Sequence, residues 1–382
     1  MSPALPKKDN SIARKGGVKI LVVSGSSGGH IFPALSLIKS LKNRHKEIDT
    51  LLILPRSSLK YNLVTNQIEN KVNYVSIYPI KLSISFKNIL AALNFLKGTL
   101  QSLFIILKFR PDIVVGFGSL VCIPTLMLAW IFRLKTLIHE QNVVPGRTNR
   151  LLAKFTDKIA ISFEQTRDYL KVNKDMIALT GNPIRQELKR IDRSQAFNFF
   201  GLNDDKFTIL VMGGSMGSNR INTCFFNAVS TISNKFRFQI IHIAGASDYN
   251  LLYNSYKDLD LRIKLFTFLK DMQYAYSICD LVVCRAGATT IAELINFNLP
   301  AIIVPYPYAY SHQLSNAKVL EKKGCAVVIK DSDLGANILK EILDDFMNNP
   351  NRLALMRSGY GDFLKADADD LLADEVLSLE NR

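Results

Sequence analysis

The sequence predicts an α/β protein made of two doubly wound parallel-sheet domains facing a central cleft. Short β-branched runs alternate with helical patterns along the whole chain, and the runs are apolar throughout instead of every second residue, as strands covered on both faces require. Three glycine-rich turns, Gly25-Ser-Ser-Gly-Gly29, Gly116-Phe-Gly118 and Gly213-Gly-Ser-Met-Gly217, each follow such a run. Glycine lets the backbone approach an anion closely, and amides at a helix start present it with the positive end of the helix dipole. Three such turns in two halves suggest two phosphorylated ligands meeting.

The elements follow in order. Residues 1–17 carry Lys7, Lys8, Arg14 and Lys15 with no apolar stretch behind them, and read as a disordered basic extension instead of a secretory signal. Residues 18–180 form the first domain, with strands expected at 18–23, 50–54, 72–77, 113–115, 136–138, 158–161 and 177–179. Residues 181–360 form the second, with strands at 207–212, 238–244, 263–268, 281–284, 301–304 and 326–329, the junction falling near Gly181 to Pro183. Residues 361–382 hold a terminal amphipathic helix, with Leu371, Leu372, Val376 and Leu377 at helical spacing, that packs back on the body. In such sheets ligands bind beyond the carboxyl ends of the strands, so the loops after Val23, Val115, Met212 and Cys284 are the places to look.

The 382 residues carry a formal charge of +15, and all of it lies in the first half. Residues 1–180 hold 26 Lys and Arg against 10 Asp and Glu, whereas residues 181–382 hold 22 against 23. Charge confined to one half points to an anionic surface or substrate there, not to nucleic acid. The five cysteines lie in apolar surroundings without metal spacing and read as buried thiols in a reducing compartment. The longest apolar run, residues 120–132, contains Pro124 and Thr125 and is too short to cross a bilayer. Ile80, Leu82, Ile84 and Phe86 interleave with Lys81 and Lys87 and suit the headgroup boundary of an anionic membrane; the longer apolar stretch at 89–109 is assigned mostly to the core.

Several constellations carry chemistry. His30 stands at a helix entrance beside the first glycine loop, where it either accepts a proton from a hydroxyl nucleophile or caps the helix and binds phosphate. Ala288, Thr289 and Thr290 open a helix and offer amides to a diphosphate; Glu293, one turn on, either accepts two hydrogen bonds from a ribose diol or is a solvated residue favoured by the dipole. Ser215 adds a hydroxyl beside the same cleft, and Arg185 at the junction either pairs with phosphate or lies at the surface. His139-Glu-Gln-Asn142 places four polar side chains at a strand end, and residues 146–149 extend that polar loop. Neither G-x-G-x-x-G nor G-x-x-x-x-G-K-[ST] is present, which disfavours a dinucleotide site and ATP hydrolysis. The D-x-D triplets at Asp258, Asp331 and Asp367 fall where a metal site is not expected.

In order along the chain these motifs resemble the MurG family of bacterial N-acetylglucosaminyltransferases, which convert lipid I to lipid II in peptidoglycan synthesis. The resemblance rests on Gly25 to His30 followed by Ile31-Phe-Pro-Ala34, Gly116 to Ser119, His139 to Asn142, Gly181 to Arg185, Gly213 to Gly217, Arg285 to Glu293, and His312-Gln313-x-x-Asn316-Ala317. It implies a GT-B fold, an acceptor and membrane-facing first domain, a UDP-sugar-binding second domain, no cofactor or metal, and a place at the cytoplasmic face of the inner membrane. UDP-GlcNAc would meet Ser27, Gly28, Gly29, Asn142, Arg185, Ser215, Leu269, Ala288, Thr289, Thr290, Glu293 and Gln313, and the acceptor diphosphate Gly28, Gly29, Gly118 and Ser119. Within that set Asn142 and Gln313 would face the sugar, Arg185 and Ser215 the diphosphate, the Leu269 backbone the uracil, and Glu293 the ribose. His30 is the implied general base, with Glu140 as competitor. Ser26 and Ser27 replace the family's usual Gly and Thr, Ser119 a Gly and Met216 a Gln, and Tyr310 and Ser311 stand where acids are usual. The same two-domain design also serves UDP-GlcNAc 2-epimerases and diacylglycerol glycosyltransferases.

Overall fold

The structure, a computed structural model, describes residues 17–44, 47–56, 73–77, 88–214, 217–307, 312–363 and 367–380. Two parallel sheets organise it. The first comprises Lys19–Val23 (β1), Asp49–Pro55 (β2), Asn73–Ile77 (β3), Ile113–Gly116 (β4), Lys135–Glu140 (β5), Lys158–Ile161 (β6) and Ile177–Leu179 (β7), in the order β3-β2-β1-β4-β5-β6-β7. The second comprises Phe207–Met212 (β8), Phe238–Ile243 (β9), Arg262–Phe266 (β10), Leu281–Cys284 (β11), Ala301–Ile303 (β12) and Ala326–Val328 (β13), in the order β10-β9-β8-β11-β12-β13.

The continuous apolar character of the strands has its cause in double coverage. Ile20 and Val22 of β1 face Ile31, Leu37 and Leu41 of helix Gly28–Arg44 (α1), whereas Leu21 and Val23 face Ile105 and Ile106 of Asn88–Phe109 (α2) and Leu126 of Cys122–Ile131 (α3). β8 divides in the same way, Ile209 and Val211 to one face and Leu210 and Met212 to the other. Burying each such side chain stabilises the fold by roughly 1.5–3 kcal/mol, so strand existence is strongly specified.

Strand order reverses between β1 and β4 and again between β8 and β11. Register puts Val23 opposite Gly116 and Met212 opposite Cys284, so in each domain the two glycine-bearing loops emerge side by side. The chain then returns to its first domain. The last helix, Ala368–Leu377 (α13), sets Leu372, Ala373 and Val376 into the same cluster as Ile20 and Ile31, while Arg44 pairs with Asp370 and Asp374 and Lys158 with Glu375. Cys224 is half-buried instead of buried like the other four thiols.

One expectation is corrected. The stretch assigned to the core between β3 and β4 is α2, and its Leu93, Leu96, Leu100, Phe104 and Leu107 lie exposed along one face. The inward face is carried by Gly98, Ser102, Ile105 and Ile106. Small residues let the helix lie close to the sheet, and the leucines are left outside.

Candidate active site between the two lobes

The two lobes approach each other at their glycine loops. A Cβ placed on Gly29 in the first turn of α1 would lie 3.9 Å from Thr289 Oγ1 in the first turn of helix Ala288–Phe297 (α9). Two helix N-termini therefore face one cleft. No side chain caps α9, whose N-cap is Gly287, so the amides of Ala288, Thr289 and Thr290 meet no competing side-chain acceptor there.

His30 lies at the floor of this cleft. Its Nδ1 is 2.7 Å from Ser27 Oγ, and its Nε2 is 3.4 Å from the point where a Cβ on Gly118 would stand. Although the residue is half-exposed, its ring sits under both loops, and desolvation lowers its pKa from 6.5 to about 4. His139 on β5 is likewise pushed down to about 4, chiefly by burial and further by His30. Gly118 (φ 84°) and Ser119 (φ 73°) both take the left-handed conformation. In Ser119 that costs roughly 1–2 kcal/mol, and its Cβ would stand only 2.7 Å from a Cβ placed on Gly25, which therefore tolerates no side chain.

Glu140 accepts hydrogen bonds on both carboxylate oxygens. Oε1 accepts from Asn142 N (2.9 Å) and Nδ2 (3.2 Å), and Oε2 from Gly146 N (3.0 Å) and Asn149 Nδ2 (2.8 Å). Four donors on one buried carboxylate make it the clasp of its own loop. Asn142 in turn accepts through Oδ1 from Asn316 Nδ2 at 3.0 Å. Asn316, fully buried in helix His312–Lys322 (α10), also donates to Ala286 O (3.2 Å) and accepts from Val143 N (3.0 Å), and His312 Nδ1 reaches Val144 O at 2.7 Å. A polar latch thus spans the lobes.

In the second lobe, Tyr276 donates to Glu293 Oε2 at 2.7 Å. Burial raises the Glu293 pKa; the Arg185 charge and the Tyr276 hydrogen bond oppose that rise. The Arg185 guanidinium stacks 5.2 Å from the Phe32 ring of α1, donates to Lys270 O at 3.3 Å, and keeps Nε buried without a protein partner. Gln313 Oε1 accepts from Ala286 N (3.1 Å) and Tyr306 N (2.9 Å). Leu269 is buried, with its backbone in the loop after β10 beside Lys270. Ser215 and Met216, the segment from Ile80 to Lys87, and Tyr310 and Ser311 lie outside the described residues.

The structure thus gathers His30, Gly29, Gly118, Ser119 and Asn149 on one wall and Thr289, Glu293 and Arg185 on the other. Asn149 and Asn316 lie in polar motifs whose spacing alone points to no role. Tyr276 carried no sequence signal, and Arg285 acts as a loop strut, paired with Asp331 and donating to Ser218 Oγ at 2.8 Å. Among the described residues no three His, Cys, Asp or Glu side chains converge as a metal site.

Two family profiles match the chain, the glycosyltransferase family 28 N-terminal domain over residues 20–161 and the family 28 C-terminal domain over residues 208–372. The chain belongs to glycosyltransferase family 28. The family 28 chain falls within the MurG branch and has the GT-B fold. A UDP-N-acetylglucosamine–N-acetylmuramyl-(pentapeptide) pyrophosphoryl-undecaprenol N-acetylglucosamine transferase of Listeria monocytogenes is 36% identical over 365 residues, spanning 95% of this chain and 99% of that protein. Its namesake in Desulforamulus reducens is 35% identical over 350 residues, 89% and 92% of the two chains. The crystal structure of Acinetobacter baumannii MurG superposes with a TM-score of 0.74 at 25% identity, covering 95% and 99%. A putative UDP-N-acetylglucosamine 2-epimerase from Listeria monocytogenes superposes at 0.70 with 12% identity, which shows the fold alone.

Proposed function

We propose that this family 28 enzyme transfers N-acetylglucosamine from UDP-GlcNAc to the C4 hydroxyl of the muramyl residue of lipid I, with inversion, giving lipid II. The observation that carries the reading is the pair of helix N-termini facing one cleft with His30 on its floor. Each terminus suits one diphosphate, the acceptor's at Gly28, Gly29, Gly118 and Ser119 and the donor's at residues 288–290 with Arg185.

His30 Nε2 takes the proton of the acceptor hydroxyl as its oxygen forms the new bond to the anomeric carbon. The bond from that carbon to the UDP oxygen breaks, and its electron pair leaves with UDP. Donors already aimed at the diphosphate stabilise that charge without reorganising, in a cleft where each is stronger than in water. An imidazole held neutral near pH 7 is ready to accept, and two bound diphosphates raise its basicity when the proton must move. Glu140, saturated by its donors, positions Asn142 and Asn149. Glu293 with Tyr276 reads the ribose, the Leu269 backbone the uracil, and Asn142 with Gln313 Nε2 the transferred sugar. The step is read as cation-free.

The exposed α2 stripe with Lys97 and Lys108, joined by Trp130, Ile131, Phe132 and Arg133 of the adjoining helix end, supports a surface seated on the anionic cytoplasmic leaflet. Among the described residues no helix is long and apolar enough to cross a membrane. The test is transfer of labelled N-acetylglucosamine onto a lipid I analogue. A β-linked disaccharide product supports the reading; release of the 2-epimer from UDP-GlcNAc alone, without transfer, overturns it.

A further inference from the structure

We propose that Ser27 is a positioning residue for the base: its hydroxyl accepts a hydrogen bond from His30 Nδ1–H and so holds the imidazole in the tautomer whose Nε2 lone pair faces the Gly118 loop. This assignment rests on the reading of His30 as base, and it departs from the sequence expectation that Ser27 touches the donor sugar nucleotide.

Three observations support it. Ser27 immediately precedes α1, and its carbonyl accepts from the amides of His30 and Ile31, both at 3.0 Å. A hydroxyl at that position ordinarily turns to the helix amides, but here it lies 2.7 Å from the ring nitrogen. The second nitrogen is directed at Gly118, where 3.4 Å separates it from the missing Cβ. Asn149 supplies the third. Its Nδ2 donates to both His139 O (3.1 Å) and Glu140 Oε2 (2.8 Å), which fixes the amide orientation and leaves Oδ1 buried with no partner, 3.5 Å from that same point. No hydrogen bond joins that oxygen to Nε2, so nothing on this side of the ring holds a proton on Nε2 in the free protein.

The surroundings do not set the tautomer another way. His139 is the titratable group coupled to His30, and its own nitrogens are engaged by Gly181 O (3.0 Å) and Gln141 Nε2 (3.1 Å). Glu140, the next residue of β5, is held by its four donors, while Ser119 beside the ring and Thr289 on the facing lobe are neutral. A ring's tautomer follows from the hydrogen bonds its nitrogens make, and among the described residues the His30 ring is bonded by the Ser27 hydroxyl, which in this assignment accepts from Nδ1–H.

The test uses the full chain with ¹⁵N-labelled histidine, His30 being assigned by comparison with His30→Gln. Wild type should show a neutral ring protonated at Nδ1, and Ser27→Ala a population shifted to Nε2–H. Ser27→Ala should lower kcat by about 10-fold or more while KM for UDP-GlcNAc stays within about twofold, and Ser27→Thr should restore kcat to within about threefold. An Nε2–H ring in wild type, an unchanged tautomer and kcat in Ser27→Ala, or a Ser27→Thr variant no better than Ser27→Ala would each overturn the proposal. A wild-type chain that transfers no sugar fails the functional reading alone, because the tautomer is read without substrate.

Discussion

Exchanging Glu140 for Gln separates the two candidate bases. The carboxylate accepts four hydrogen bonds at 2.8 to 3.2 Å, two on each oxygen. An amide at the same place must aim its NH₂ at one pair of donors, Asn142 N and Nδ2 or Gly146 N and Asn149 Nδ2. Two bonds to a charged acceptor are lost, each worth about 1.5–3 kcal/mol, so the loop loses roughly 3–6 kcal/mol. At about 2–4 °C per kcal/mol for a domain of this size, the first unfolding transition should fall by about 6 °C or more. Differential scanning calorimetry gives that shift, and steady-state transfer rates give the catalytic loss that follows from misplaced Asn142 and Asn149. His30→Ala should do the reverse, lowering kcat by about 100-fold or more with an unchanged melting temperature. A Glu140→Gln protein that melts like wild type yet loses transfer by about a thousandfold would make Glu140 the base and overturn its assignment as a clasp.

Further outcomes follow from the same geometry. With His30 depressed to about 4, its protonation removes the base only below that pH, so kcat/KM should stay level from about pH 8 to pH 5 and fall as pH drops through about 4; a break near 6.5 would contradict the desolvated ring. Tyr276→Phe removes the donor that orients Glu293 and should weaken UDP binding by about 5- to 10-fold in calorimetric titration, with kcat little changed. Asn316→Ala breaks the latch between the lobes and should raise the radius of gyration in X-ray scattering, bound UDP reversing part of the change. Phe104→Asp, at a side chain 66% exposed, should cut sedimentation with anionic vesicles by severalfold while leaving the melting temperature unchanged.

All thirteen strands described stand close to where the apolar runs predicted them, because strands covered on both faces carry their burial in consecutive letters. The loops followed: once β1 lies between β2 and β4, the turns at Gly25 and Gly118 must be neighbours. Side-chain partners were less legible. Asn142 and Asn316 lie 174 residues apart and meet only when the lobes do, and the phenol that orients Glu293 stands in the short helix Met272–Ile278, whose sequence carries no site motif. Glu140 has a catalytic letter in a catalytic neighbourhood; its role is set by four donors, two of them backbone amides that no side-chain pattern records. Helix α2 misled for a related reason. Hydrophobicity marks what prefers to leave water, and here the small residues Gly98 and Ser102 take the inward face.

In the proposed mechanism helix amides and Arg185, with no bound cation, stabilise the charge that UDP carries away. Transfer of labelled N-acetylglucosamine to a lipid I analogue, measured in EDTA after exhaustive dialysis and again with added magnesium, decides whether those donors suffice. Equal rates are expected in both; activity that vanishes with chelation and returns with the metal would show that an ion carries the charge instead.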